Sequence, residues 1–408
     1  MRLEKIYPAA ALEYQRARYA DIKREFVSRF GDGCGFFSAS GRSEIIGNHT
    51  DHNRGAVMAA GIDLDAIGAA RRREDGVIRV WDKGYGREIV VDLSEKGPKA
   101  DESGSSPSLF RGVAETIAAR GYAVGGFDAV ITSNVLKGSG LSSSAAIELL
   151  IFTILNNLYC GGAISAVEGA KIAKNAENVY FGKPCGLMDQ LASAVGSLTA
   201  IDFADPDDPK VERIGLDFAS FGYSLLICDV HADHADLTDE YAAITREMRA
   251  VSEFFGKNYL REVNESDFYA SLFELRKKVS DRALLRAMHF FSENERAIRA
   301  ADHARKGDIA AFLQEINASG ESSELYLQNA YPAGSVDQAM SLALALARRI
   351  LSGAGACRVH GGGFGGTILA LVPIDAVKDY KAKMDSVFGE RSCTELAVRP
   401  VGACKVEL

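Results

Sequence analysis

The chain has 408 residues, 47% of them hydrophobic and 25% charged, and a formal net charge of −8. That is the composition of a soluble globular protein too long for one simple core, so two domains are expected, and its acidity argues against non-specific binding of nucleic acid. No run reaches the roughly 18 apolar residues of a membrane span, and the N-terminal MRLEKIYPAAALEYQ lacks the apolar core of a signal peptide. The seven cysteines form no C-x-x-C pair. They read as reduced, mostly buried thiols of a cytoplasmic protein.

In chain order, residues 10–30 space Leu12, Tyr19, Ile22, Phe26 and Phe30 at helical intervals, with Gly31 as the stop. GRSEIIGNHTDHNRG, 41–55, is more polar than a periodic helix or strand needs and reads as a metal site, a sugar-binding loop or a polar turn. RRR, 71–73, reads as a solvated strand end. GVIRVWDKG and REIVVDL predict strands around a glycine turn, with Trp81 in a core or interface rather than against an adenine. A polar loop over 96–108 precedes a short helix ending at Gly121 and a strand in GGFDAVITSNV. SAAIELLIFTILNNLYC is apolar on nearly every face, which predicts a deeply buried helix.

Between that strand and helix lies KGSGLSSSAA, 137–146. Gly138 and Gly140 let backbone approach an anion, Ser142, Ser143 and Ser144 supply hydroxyls, and the helix start offers free N–H groups. This is a phosphate cradle without the Lys-Ser/Thr of a Walker A loop. A divalent ion that accompanies nucleotide phosphates needs only one or two protein oxygens. NAENVYFGKPCGLMDQ offers Glu177 and Asp189. Asp189 precedes an apolar stretch, LASAVGSLTAI, read as helix, where a cap is its plainer role. ADPDDPK, 204–210, is the best domain boundary. YSLLICDV is a buried strand, helices follow at about 238–256, 268–278, 281–305, 308–329 and 335–353, and ACRVHGGGFGGTILALVP reads as strand, glycine turn, strand.

GRSEIIGNHTDHNRG, GSGLSSSAA, CGLMDQ and GGGFGG stand in this order over residues 35–372, and together the chain resembles the galactokinases of the GHMP small-molecule kinase superfamily. The first stretch resembles the signature G-R-x-N-L-I-G-E-H-T-D-Y-N. The resemblance implies an α/β, α+β-type GHMP fold of two domains, 1–205 and 206–408, with mixed sheets and the active site in the cleft between them. It implies transfer of the ATP γ-phosphoryl group to the C1 hydroxyl of galactose. Asp189 would accept the hydroxyl proton and Arg42 would orient it and stabilise charge. The phosphate loop maps to Gly138, Ser139, Gly140, Leu141, Ser142, Ser143 and Ser144, and the Mg2+ ligands to Ser144 and Glu177. The sugar contacts map to Asn48, His49, Thr50, Asp51, Gly186 and Asp189, with Tyr241 as the second-domain tyrosine. The partners implied are a free sugar and ATP, acting on a monomer or weak homo-oligomer.

The chain departs from the signature at three places: Glu44 for Asn, Asn48 for Glu and His52 for Tyr. Asn48 loses a charge that would grip a sugar hydroxyl. N-acetylgalactosamine, L-arabinose or a uronic acid therefore stand as alternatives to galactose. A zinc site in HTDH or HADHAD is disfavoured by the surrounding turn residues. A non-catalytic sensor is disfavoured because Ser144–Ala145, Arg42 and Asp189 are all present.

Overall fold

The computed structural model describes residues 1–136, 138–231 and 237–408. Its site hangs from two long strands, β1 (Gly35–Ile46) and β2 (Ala56–Arg72). These correct the loop reading of 41–55. Ser40, Arg42, Ser43 and Glu44 lie in β1 and are buried, because each polar side chain meets a protein partner. Polarity there marks internal hydrogen bonding, not exposure.

The remaining strands are β3 (Val77–Asp82), β4 (Arg87–Asp92), β5 (Phe127–Ser133), β6 (Leu198–Asp202), β7 (Lys210–Ile214), β8 (Tyr223–Asp229), β9 (Ala356–Val359), β10 (Thr367–Pro373), β11 (Cys393–Leu396) and β12 (Cys404–Val406). The large sheet runs β12-β1-β2-β5-β3-β4, with β6 on the other end of β2 and β7 on β6. It is mixed, since β3 and β5 are parallel. The second sheet, β11-β8-β10-β9, is antiparallel throughout, not mixed.

Two features interlock the halves. ADPDDPK joins the paired strands β6 and β7, so it is a hairpin turn inside the large sheet and not a boundary. The C-terminal β12 returns to pair with β1, Phe36 opposite Val406. One apolar core accordingly includes Phe37 and Leu150 together with Ile227, Phe312 and Leu369.

The helices Leu12–Phe30, Ser106–Ala119, Ser143–Tyr159, Thr238–Phe254, Asp281–Lys306, Ile309–Ser322 and Ala339–Leu351 follow the sequence periodicity. LASAVGSLTAI does not form one helix. The helix Met188–Val195 stops at Gly196 and β6 begins at Leu198. Gly196 has φ +68°, and a Cβ there would lie 2.2 Å from the Gly402 nitrogen. Trp81 packs under the Arg29 guanidinium, 3.5 Å from its ring centre, as an interface residue. Arg71 and Arg73 are not merely solvated: both reach the buried Asp128.

The C-terminal segment is pinned by a buried ion network. Asp65 accepts from Arg18 Nη1 at 2.7 Å, Arg399 Nη1 at 3.0 Å and Ser38 Oγ at 2.5 Å. Arg399 Nη2 also donates to the Gly402 carbonyl at 2.9 Å. Breaking one member of a buried pair costs about 3–5 kcal/mol because the other charge stays behind. Arg399→Ala is expected to lower the unfolding free energy by about that amount in urea titrations.

Candidate active site

Arg42 lies just past a bulge in β1 at Gly41, where pairing with β2 shifts register. A Cβ on Gly41 would stand 3.0 Å from the Leu141 carbonyl, tighter than ordinary contact, so glycine eases the close approach of the 138–144 loop. The Arg42 backbone N–H donates to that carbonyl at 3.0 Å. Its guanidinium, nearly buried, donates from Nε at 2.8 Å to Asp189 Oδ1, with Nη2 2.7 Å from the same oxygen, and from Nη1 to the Gly140 carbonyl. Asp189 Oδ2 accepts from the Ser142 hydroxyl. Asp189 is therefore not a helix cap: Leu187 holds the cap position of Met188–Val195, with no side-chain capping bond. That helix is fastened to β1 by reciprocal bonds, Ser193 Oγ to the Ser40 carbonyl at 2.5 Å and Ser40 Oγ to the Ser193 carbonyl at 3.3 Å.

The loop ends at the N-terminus of the buried helix Ser143–Tyr159. Ser142 adopts φ +55°, a strained conformation for a serine, and its hydroxyl faces Asp189. Leu141 is buried and serves the loop through its carbonyl. A cavity of about 370 Å³ is lined by Gly138, Gly140, Tyr241, His360, Gly362 and Gly366. A second, of about 300 Å³ and partly apolar, lies beside Ser143 and Ser144, with Asp82, Tyr85, Leu109 and Ile131 among its walls.

Glu177 sits where the helix Ala166–Asn175 widens into a π-helical turn, Ala176–Phe181, a distortion frequent at functional sites. Its Oε2 accepts from Gln190 Nε2 at 2.9 Å, and its Oε1 lies 3.3 Å from Lys183 Nζ. Gln190 Nε2 also reaches Glu148 Oε2 at 3.1 Å. Burial first, then the charge of Glu177, pushes the Glu148 carboxyl well above the usual range. Glu148 Oε1 and Gln190 Oε1 are buried without partners. Among the described residues no group of three or more His, Cys, Asp or Glu side chains is placed to hold a metal ion, so Glu177 would supply at most one of the one or two protein oxygens that a nucleotide-bound divalent ion needs.

The opposite wall is the 47–55 turn, held largely by the helix Asp281–Lys306. Glu293 accepts from the Gly47 and Asn48 backbone at 3.0 and 3.2 Å, and His289 Nε2 meets the Asn48 carbonyl at 2.9 Å. His49 Nε2 donates to the Gly362 carbonyl at 2.9 Å and its ring stacks near Tyr241, whose hydroxyl donates to the Gly363 carbonyl at 3.1 Å. A Cβ on Gly186 would lie 2.7 Å from Asp51 Oδ2, so these two candidates are also neighbours. Burial opposes ionisation of Asp51, but the His52 hydrogen bond and charge outweigh it and lower its carboxyl below the usual range.

Two candidates take a different place from the one expected. Thr50 is buried and its hydroxyl donates to the Gly47 and Ala56 carbonyls at 2.9 and 2.7 Å, closing the turn. Asn48 is fully buried, and its amide is occupied by protein. Nδ2 donates to Glu44 Oε1 at 3.0 Å and to the Gly361 carbonyl at 2.7 Å, and Oδ1 accepts from Asn329 Nδ2 at 2.8 Å. The departures at 44 and 48 are thus one exchange: the signature's Asn and Glu stand here as Glu44 and Asn48, hydrogen-bonded to each other. Arg358 Nη2 completes Glu44 at 2.8 Å.

Of HADHAD, Asp233, His234 and Asp236 lie outside the described residues. His231 is exposed, and the following helix starts at Thr238 with Leu237 in the cap position. His360, Glu148, Gln190, His289 and Glu293 were missed from the sequence. The one available signal was a charged Glu148 inside an otherwise apolar helix.

The GHMP kinases N terminal domain family matches residues 108–197, and the galactokinase galactose-binding signature matches 24–72. A galactokinase of Streptomyces coelicolor is 33% identical over 351 residues, 84% of this chain and 86% of that protein. One of Clostridium tetani is 28% identical over 375 residues, 91% of this chain and 92% of that protein. The crystal structure of Lactococcus lactis galactokinase complexed with galactose superposes with TM-score 0.78 at 25% identity, covering 95% of this chain and 100% of that one.

Asn48→Glu alone would set two carboxylates against each other beside a single Arg358. It is expected to destabilise by about 3 kcal/mol, and Glu44→Asn in the same chain to restore most of the loss, as read from a double-mutant cycle in urea. A pH dependence also follows. Burial, then neighbouring His52, pushes His49 down to about 4. Burial likewise lowers His289. Burial opposes the shift of Glu293, but His289, Arg358 and Arg296 outweigh it and hold the carboxyl at about 2. All three bind protons more tightly when unfolded, so their stabilisation is lost on acidification. Denaturation midpoints should fall from about pH 6.5 towards 4 with the histidines, and further below about pH 4.5 with Glu293. His49→Asn should flatten the upper limb.

Proposed function

We propose that this chain, which belongs to the galactokinase family, transfers the γ-phosphoryl group of ATP to the anomeric C1 hydroxyl of galactose. The observation that carries the reading is Arg42, which joins Asp189 to the glycine loop through one guanidinium. Phosphoryl transfer depends on positioning and charge stabilisation more than on covalent chemistry. Asp189 accepts the C1 hydroxyl proton. Arg42, a permanently charged planar donor, orients that carboxylate and stabilises transferring charge. The ATP phosphates sit over Gly138–Ser144 at the helix N-terminus, where free N–H groups favour anions. The partly apolar cavity beside Ser143 and Ser144 takes the base. The Ser144 hydroxyl and the Glu177 carboxylate would hold Mg2+, which when bound neutralises charge on the phosphate oxygens.

On the sugar side, His49, Asp51, Gly186 and Tyr241 form the binding wall. The alternative sugars rested on Asn48 as a sugar contact. Its amide is engaged by Glu44, Gly361 and Asn329 instead, so galactose is the favoured substrate. Among the described residues no helix is long and apolar enough to cross a membrane. Seven free cysteines fit action in the cytoplasm.

Asp189→Asn is expected to lower kcat for galactose by about 10²-fold or more, the scale of a lost general base. Arg42→Ala should cost at least as much, with the circular dichroism spectrum unchanged. An ATP-consumption assay with Mg2+ and a panel of free sugars measures both; turnover retained in both variants overturns the mechanism.

A further inference from the structure

His360 is buried where three elements meet. Its Nε2 lies 3.1 Å from Ser43 Oγ, beside Arg42 on β1. Its Nδ1 lies 2.9 Å from Thr367 Oγ1 at the start of β10, and that hydroxyl is 3.1 Å from the Ser139 carbonyl of the glycine loop. A hydroxyl has one hydrogen to give. Thr367 can give its hydrogen to Ser139 only if His360 Nδ1 carries a proton and donates it. The bare Nε2 then accepts from Ser43. The Nδ1–H tautomer satisfies all three contacts, while the other leaves the Ser139 carbonyl without the Thr367 hydrogen. Burial first, then the charges of Arg42 and Arg358, keeps the ring neutral, as this relay requires. The ring also underlies the loop directly: a Cβ on Gly140 would stand 3.1 Å from Nδ1.

We propose that His360 is a positioning residue for the nucleotide. Through Thr367 it fixes the Ser139 carbonyl, and so the set of the loop whose N–H groups receive phosphate. This relay, Ser43–His360–Thr367–Ser139, runs parallel to the Arg42 contact with Gly140, and the two together define the loop from both sides. The role rests on the reading that this loop holds ATP.

The test uses the full chain and four variants: His360→Ala, Thr367→Val, the double variant and His360→Asn. The readouts are calorimetric binding of a non-hydrolysable ATP analogue, KM for ATP and for galactose, and Tm. His360→Ala and Thr367→Val should each weaken analogue binding and raise KM for ATP about fivefold, the scale of one lost buried hydrogen bond. KM for galactose should barely move, while Tm falls in both singles because each leaves a buried polar group unpaired. The double variant should be no worse than the weaker single, because both cut one relay. His360→Asn places an amide N–H where Nδ1–H stood and should recover most of the affinity. The proposal is overturned if His360→Asn behaves as His360→Ala, if the singles add, or if both KM values rise together. If the wild-type chain binds no analogue, it is the ATP reading that fails, and this role with it.

Discussion

The site depends on one buried guanidinium. Arg42 offers Nε and Nη2 to Asp189 and Nη1 to the Gly140 carbonyl, while its own N–H holds the Leu141 carbonyl. A single planar group thus fixes the carboxylate, the loop and the strand relative to one another. Lysine could not replace it, because a point charge has no fork to span two acceptors in set directions. Everything around Arg42 maintains that geometry. The Gly41 bulge aims it, the paired bonds of Ser40 and Ser193 hold the helix that carries Asp189, and Ser142 accepts a left-handed backbone with its hydroxyl on Asp189.

The second constraint is that each half of the chain supplies what the other half needs. The 47–55 turn belongs to the first half, but its backbone is received by Glu293 and His289 and its Asn48 amide by Asn329. In return, the last strand of the chain completes the large sheet beside β1. Neither half has a finished polar interior alone. A buried polar group without its partner costs about 1–3 kcal/mol, so the halves are bound by hydrogen-bond satisfaction as well as by shared apolar surface. That is why the turn at 204–210, which looks like a boundary in composition, is only a hairpin.

What the sequence made legible were features with local causes. The glycine-serine loop, the order of four motifs and most of the helices survive, from the buried helix after the phosphate loop to the long helices of the second half, whereas the helix expected at about 268–278 is two short ones, Glu265–Ala270 and Leu272–Leu275. What it hid were features with partners far along the chain. β1 read as a loop because Arg42 and Glu44 look solvent-bound until Asp189 and Arg358 are seen opposite them. Gly196 looked like a residue within a helix until the 401–402 backbone was seen to occupy the space of its side chain. Glu44 and Asn48 counted as two independent departures. Only the 3.0 Å contact shows them as one pair with its ends exchanged, which moves Asn48 from substrate recognition to support.

The carboxylates beside the phosphate loop show how the fold limits its own electrostatic strain. Glu148, Glu177 and Asp189 are near enough to affect one another, and their charges together would be costly in so buried a place. Burial first, then Glu177, pushes the Glu148 carboxyl well above the usual range, while Gln190 spans Glu148 and Glu177 with one amide nitrogen, Lys183 meets Glu177 and Arg42 meets Asp189. The Oε1 atoms of Glu148 and Gln190 are left without protein partners, so rearranging them breaks no existing bond.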